Sequence, residues 1–376
     1  MERFAAEIER LRATHGYRTL RPASGRDFTS NDYLGLAMHP ALREAAKVAL
    51  DDFGILGAGG SRLLRGHHPL HAALEERAAK FFSAEKTLYF GSGYLANLAL
   101  FSALCDRHDA IVFDEFVHAS IKEGIHASTA GRYRAEHSDL SSFEENLKRA
   151  RADGRSSIWI AVESLYSMDG DFAPLEDLAK LGREYDATLI VDEAHATGVF
   201  GKTGRGLSED LDETNCIAVH TCGKALGVAG ALVCGSTSTI EFLINKSRPF
   251  IYSTAPPPML AAALMRALEL VDEEPERRER LLVSISIARE KLRAGARDNL
   301  PRSGSQIIPV ILGEEKRTLE IAADLQKAGF DVRAIRPPTV PQGTSRLRIS
   351  LNATHTEADI AELGAALDRA VERCAA

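Results

Sequence analysis

The chain is predicted to fold as an α/β protein, a mostly parallel sheet covered by helices on both faces, with a second, smaller α+β domain after it. Three observations lead there. Short β-rich runs recur along the chain, each followed by a loop and an amphipathic stretch, the alternation that builds parallel sheets from crossover units. The texture then changes near Pro256, where three consecutive prolines interrupt the pattern. Finally, 376 residues that are 45% hydrophobic and 26% charged suit packed cores and provide enough chain for more than one domain.

The first 35 residues match neither core and are expected to reach across to another surface. Pro69–Phe82 places Leu70, Leu74, Ala78 and Phe81 on one helical stripe, which predicts an amphipathic helix. Strands follow at KTLYF (86–90), AIVF (110–113), SIWIAVE (157–163), ATLIV (187–191) and CIAVH (216–220). In such sheets ligands collect at the C-terminal strand ends. Beyond Pro256 two long helical stretches run to about residue 298, then strands QIIPVIL (306–312) and SRLRISL (345–351) alternate with helices. The expected organisation is an N-terminal segment (1–35), a large domain (36–260) and a small C-terminal domain (261–376).

With 46 basic and 53 acidic side chains the net charge is −7, which lacks the basic field of sequence-independent nucleic-acid binding. No apolar run is long enough to span a bilayer. The amphipathic start carries Glu2, Glu7 and Glu9, unlike a secretory signal or a mitochondrial presequence. Five cysteines show no C-x-x-C pair and no disulfide cadence. A reduced, cytoplasmic protein is expected.

Chemistry concentrates after the strands. Asp192 and His195 lie in VDEAHATG, directly after ATLIV. DEAH also occurs in nucleotide-hydrolysing helicases, and Gly201-Lys202-Thr203 stands nearby. A phosphate loop needs a glycine five residues before its Gly-Lys, however, and that position is Ala196. Lys224 lies among small residues in TCGKALG after CIAVH, company that lets another molecule approach closely and helps keep an amine neutral. Asp192 and Lys224 follow different strands, so one crevice could hold both, and such an amine and carboxylate are what pyridoxal phosphate requires, one to form the Schiff base and one to hold a proton on the ring nitrogen.

Two further parts have candidates. FGSGYLAN (90–97) follows a strand and opens a helix, so Gly93 and Tyr94 sit where backbone N–H groups bind phosphate. His118, after AIVF, offers a flat partner for a ring; Thr221, Ser253 and Thr254 offer hydroxyls. Arg346 and Arg348 share one face of a strand, and spacing does not decide which of them would clasp a carboxylate. His67, His68 and His71 have no further ligand at metal-site spacing, and no metal is expected.

Taken together, NDYLGLA (31–37), GAGGSRLLRG (57–66), FGSGYLAN, VHAS (117–120), ESLYSMDGD (163–171), VDEAHATG, TCGKA and IYSTAPPP (251–258) resemble the α-oxoamine synthases, fold-type I pyridoxal-phosphate enzymes that join an amino acid to an acyl thioester. The resemblance runs in order from about residue 31 to the C-terminus. It implies a large domain with a mostly parallel seven-stranded sheet, and a homodimer with its sites at the interface. Lys224 would carry the Schiff base, Asp192 would pair with the pyridinium, His195 would bond the ring hydroxyl and His118 would stack on the ring. Gly93, Tyr94, Ser167 and Thr221 would help bind the cofactor, with Ser253 and Thr254 reaching the partner's phosphate. Arg348 would hold the amino-acid carboxylate with Asn31 nearby, while Thr339 and either Arg12 or Arg18 would touch substrate. Glu163 and the stretch Ser61–Arg65 would line the site. RPPTVPQGTSRLRISLNATHT (336–356) resembles the branch that condenses L-alanine with a pimeloyl thioester, on coenzyme A or a carrier protein, to 8-amino-7-oxononanoate in biotin synthesis. Siblings using glycine or serine are the alternatives.

Overall fold

The computed structural model describes residues 2–14, 16–211, 215–292 and 304–375. Two compact units emerge: one comprises Leu34–Ser167 and Phe172–Arg278, the other Met1–Tyr33, Met168–Asp171 and Glu279–Ala376.

In the larger unit seven strands form one sheet in the order Lys86–Phe90, Ala231–Gly235, Cys216–Thr221, Ala187–Asp192, Ile158–Glu163, Ala110–Asp114, Gly131–Ala135. All run parallel except Ala231–Gly235, which is antiparallel to both neighbours. Alternate side chains feed two cores. Leu100, Phe101, Ile121, Ile125 and Leu243, from helices Gly93–Leu104, Ala119–Ala127 and Thr237–Lys246, pack with Ile111, Ile190, Val219 and Val233. On the opposite side chains Phe143, Leu147 and Leu178, from helices Leu140–Ala152 and Leu175–Glu184, pack with Val112, Ile160, Val162, Leu189 and Val191. Burying each such side chain is worth about 1.5–3 kcal/mol, so the register that keeps both rows inward is strongly specified.

The five strands read from sequence for this unit are present to within a residue at each end. Two others escaped that reading. Gly131–Ala135 is an edge strand whose Arg132 and Arg134 point outward while Tyr133 and Ala135 are buried; its basic alternation resembles a solvated loop. Ala231–Gly235 is buried along its whole length but follows a glycine-rich turn, and a five-residue apolar run carries no period to read.

Helix Pro258–Glu273 packs on Pro40–Phe53 and Pro69–Phe82 within the larger unit, so that unit extends to Arg278 rather than to residue 260. The break therefore falls inside helix Glu276–Lys291. The prolines at 256–258 start a helix, where a fixed φ and a missing N–H cost nothing, and do not end a domain. The expected continuation of helix to residue 298 lies, from 293 on, outside the described residues.

The smaller unit holds a three-stranded antiparallel sheet in the order Arg333–Ile335, Ser345–Ser350, Ile307–Gly313, with helices Glu315–Lys327 and Glu357–Ala375 packed on each other. The N-terminal segment does not stand apart from it. Arg26–Asp27 pairs with Phe330–Asp331, Phe28 is fully buried and stacks on His355, and Arg26 reaches Asp359 and Glu362.

Candidate active site

Parallel pairing brings acids to the C-terminal edge of the large sheet. Asp114, Glu163 and Asp192 each close a strand, on three adjacent strands, and Glu163 is the register partner of Asp192. Residues paired across parallel strands share a face, so these two buried carboxylates stand side by side.

Asp192 is held by donors on both oxygens: Asn97 Nδ2 donates to Oδ2 at 2.7 Å and the Ala194 backbone N–H to Oδ1 at 2.9 Å. Both oxygens are thereby satisfied and fixed in orientation. Asn97, one turn into helix Gly93–Leu104, also donates to Ser120 Oγ at 2.9 Å, and Ser120 Oγ lies 2.8 Å from His118 Nδ1. His118 caps helix Ala119–Ala127 through the same nitrogen, so its ring is oriented from below while solvent still reaches it. Surrounding protein lowers its pKa, Asp192 opposes that shift, and Lys224 and Lys122 add to it. The imidazole is therefore neutral at neutral pH.

Lys224 lies in the turn after Cys216–Thr221, its Nζ 2.8 Å from His195 Nε2. His195 sits three residues past Asp192 on a buried turn. Glu193 anchors that turn: its Oε2 accepts from Ser164 Oγ at 2.6 Å and its Oε1 from the Ser208 N–H at 2.6 Å. Asp192 ends the strand next to the one that leads into Lys224, and His118 and Glu163 each feel both charges.

Ser92 caps the helix that begins at Gly93, accepting from the Leu95 N–H at 3.2 Å. A Cβ at position 93 would strike Thr221 Oγ1, whereas one at Gly223 would meet open space. Glycine at 93 therefore lets the helix N-terminus and the Thr221 hydroxyl converge, and an N-terminal turn offers N–H groups to an anion. Ser253 and Thr254 lie beside Gly91, Leu95 and Pro256 in one depression. An amine, a doubly anchored carboxylate, a neutral flat ring and a glycine-lined helix end are the donor set that pyridoxal phosphate needs, and the pocket fits it.

Glu163 differs from its neighbour. It is 2% exposed; among the described residues Oε2 accepts only the Ser167 N–H, at 3.2 Å, and Oε1 has no hydrogen-bond partner. Burial, and then the Asp192 charge, raise its pKa from 4.5 to about 8, against the pull of Lys224.

The smaller unit separates the two arginines that spacing left equivalent. Arg346 pairs with Asp169 at 2.5 Å and donates to the Met168 carbonyl. Arg348 donates to Asn31 Oδ1 at 3.0 Å, Ser350 Oγ at 2.7 Å and Tyr33 OH at 3.4 Å. Of the N-terminal arginines, Arg12 pairs with Glu9 and lies over the Tyr17 ring, while Arg18 donates to Thr339 Oγ1 at 3.2 Å.

The stretch Ser61–Arg65 is divided in its roles. Arg62 is buried in a two-pronged pair with Glu75 and donates to His67 Nδ1 at 3.0 Å, while Leu63 and Leu64 are exposed. His68 caps a helix and His71 is 2.9 Å from the Pro256 carbonyl, so all three histidines of HHPLH serve local structure. Asn97 and Ser120 were overlooked in the sequence. Both stand inside quoted motifs, but nothing in one dimension brings positions 97, 120 and 192 together.

Sheet order, strand-end pocket and the lysine–aspartate pair define a fold-type I pyridoxal-phosphate enzyme. Residues 25–367 match the family described as aminotransferase class I and II. A protein from Citrifermentans bemidjiense named 8-amino-7-oxononanoate synthase is 42% identical over 386 residues, covering 98% of each chain. One of the same name from Geobacter sulfurreducens is 43% identical, covering 97% of each. Among solved structures, an 8-amino-7-oxononanoate synthase from Francisella tularensis is 32% identical with a TM-score of 0.79, covering 93% of this chain and 98% of that one. A Sphingomonas wittichii serine palmitoyltransferase is 28% identical with a TM-score of 0.88, covering 99% and 97%. The chain belongs to the aminotransferase class I and II family, in its α-oxoamine synthase branch.

Proposed function

We propose that this enzyme condenses L-alanine with a pimeloyl thioester, releasing CO₂ and the thiol and forming 8-amino-7-oxononanoate for biotin synthesis. The observation that carries this reading is the strand-end edge of the larger unit, where the Lys224 amine, bonded to His195, follows the strand next to the one that Asp192 closes, and both act on Glu163. The names of relatives 42–44% identical along nearly the whole chain support the choice of reaction.

Pyridoxal 5′-phosphate, when bound, supplies an electron sink for the pair left on the substrate α-carbon as its bonds break. The residues do the rest. Asp192, anchored by Asn97 and the Ala194 N–H, would pair with the ring nitrogen. Gly93, Tyr94, Ser167 and Thr221 would help bind the cofactor, Ser253 and Thr254 would reach the partner's phosphate, His195 would bond the ring hydroxyl, and neutral His118 would supply a flat face. Arg348, aided by Asn31, holds the amino-acid carboxylate. Lys224 would hold the cofactor through its aldehyde, and its amine is the group placed to take the α-proton of L-alanine. The α-carbon attacks the thioester carbonyl, the C–S bond breaks and the thiol leaves. Loss of the carboxylate as CO₂ follows, and Lys224 returns a proton to the α-carbon. Arg18 with Thr339 contacts the acyl substrate.

We further propose a homodimer in the cytoplasm. Ala45, Val48, Phe53, Leu70 and Ala262 line an apolar hollow on the larger unit, the kind of surface that marks an interaction site. Among the described residues the cysteines form no disulfide, and no helix is long and apolar enough to cross a membrane.

The test is spectroscopic. The purified protein should be yellow, borohydride should fix the cofactor to Lys224, and L-alanine should change the visible spectrum more than glycine or L-serine does. Turnover with pimeloyl thioester should then yield CO₂ and 8-amino-7-oxononanoate. A colourless protein in which borohydride leaves Lys224 unmodified would sink the reading, and a stronger response to glycine or serine would reassign the substrate.

A further inference from the structure

Two carboxylates stand side by side at the bottom of the cofactor pocket, and the proposed chemistry uses one. Asp192 has both oxygens anchored by donors. Glu163, its register partner on the next strand, is equally buried, yet one oxygen takes a single backbone N–H and the other meets no partner. A buried carboxylate oxygen with no donor is costly when charged and cheap when it carries hydrogen. Two carboxylates in contact rarely both ionise, and the better-solvated member keeps the charge.

We propose that Glu163 is a positioning residue that holds a proton at neutral pH in the working enzyme, so that the pocket floor presents one negative charge, on Asp192, to the cofactor ring rather than two. This rests on the reading of the pocket as a pyridoxal-phosphate site.

The groups facing Glu163 make the device conditional. Asp192 on the adjacent strand and Asp114 at the end of the next favour the neutral acid, whereas the Lys224 ammonium favours the anion. His118 and His195 border the same pocket. Asp114 is itself screened by His137, whose Nδ1 lies 3.0 Å from Oδ1, and by N–H donors from Phe116 and Ser138. As an ammonium, Lys224 offsets part of the penalty on an ionised Glu163. Condensation of the amine with an aldehyde would send two of its hydrogens out with the carbonyl oxygen as water and leave a more diffuse charge on the imine, so Glu163, standing between carboxylates, would keep its proton more firmly. A second anion beside Asp192 would over-stabilise positive charge on the ring and weaken its pull on the substrate's electrons, so a neutral Glu163 tunes the sink through Asp192.

Infrared difference spectra of the holoenzyme test this directly. At pH 7 a protonated-carboxyl band should be present in the wild type and absent from Glu163→Gln, and it should fade only as the pH is raised well above neutral. In parallel, the visible cofactor band of the wild type should shift over that alkaline range, while that of Glu163→Gln, which cannot ionise, should not. A holoenzyme without the band at pH 7, a band that survives in Glu163→Gln, or the same alkaline shift in both proteins would overturn the proposal. If Glu163→Gln does not fold, the wild-type titration alone decides, since the band must be present at pH 7 and lost above it. Failure of borohydride to fix any cofactor would instead be a failure of the functional reading, visible before the carboxyl band is sought.

Discussion

The sheet edge of the larger unit and the strand Ser345–Ser350 of the smaller one each line up like charges, and each gives them unlike partners. At the sheet edge Asp114 is matched by His137 and backbone N–H groups, Asp192 by an amide and a backbone N–H, and Glu163 by almost nothing. On the strand, Arg346 pairs with Asp169 while Arg348 donates to Asn31 and Ser350. Residue type and position along the strand are shared within each set; what distinguishes the members is which partners the fold brings to them. Breaking a buried ion pair strands a charge and costs stability, whereas a guanidinium held by side-chain oxygens keeps the fork geometry that clasps a carboxylate.

That distinction can be broken at several points. The largest effect is expected at Asp192. Replacing it with Ala should raise the barrier by several kcal/mol and lower turnover by about 10²-fold or more, measured as kcat at saturating L-alanine; near-normal turnover would remove its role. Next come the arginines, which should part company. Arg346→Ala leaves Asp169 without its cation and should cost about 3 kcal/mol of stability in denaturant unfolding. Arg348→Ala should destabilise less but raise the KM for L-alanine about 10–100-fold, the worth of a charge-assisted clamp. Equal effects of both changes on KM would erase the contrast.

The smallest effect concerns the pH dependence of stability. The folded protein raises the Glu163 pKa from 4.5 to about 8, so between those values the native state binds the extra proton and stability falls as the pH rises. Glu163→Gln does not titrate. Its stability relative to the wild type should therefore improve steadily from pH 5 to 8 and level off above, by a few kcal/mol at most, in unfolding midpoints collected across that range. A constant difference would mean that Glu163 is ionised throughout.

Much of this protein is legible in one dimension. Amphipathic period and apolar runs located the helix Pro69–Phe82 and five central strands, because burial of alternating side chains is a local requirement written into spacing. Lys224, Asp192, His195 and His118 could be picked out because strand-end loops are where such sheets gather chemistry. Other features were not local. Gly131–Ala135 and Ala231–Gly235 became strands only because neighbours supplied hydrogen bonds. Helix Pro258–Glu273 joined the larger unit through the helices it covers, against a proline signal that reads equally well as a boundary. The choice between Arg346 and Arg348, the link from Asn97 to Asp192, and the near isolation of Glu163 depend on which side chains from distant segments approach to within about 3 Å. Composition and periodicity determine which residues are buried and where reactive ones gather; the pairing that decides each one's charge and task exists only once the chain has folded.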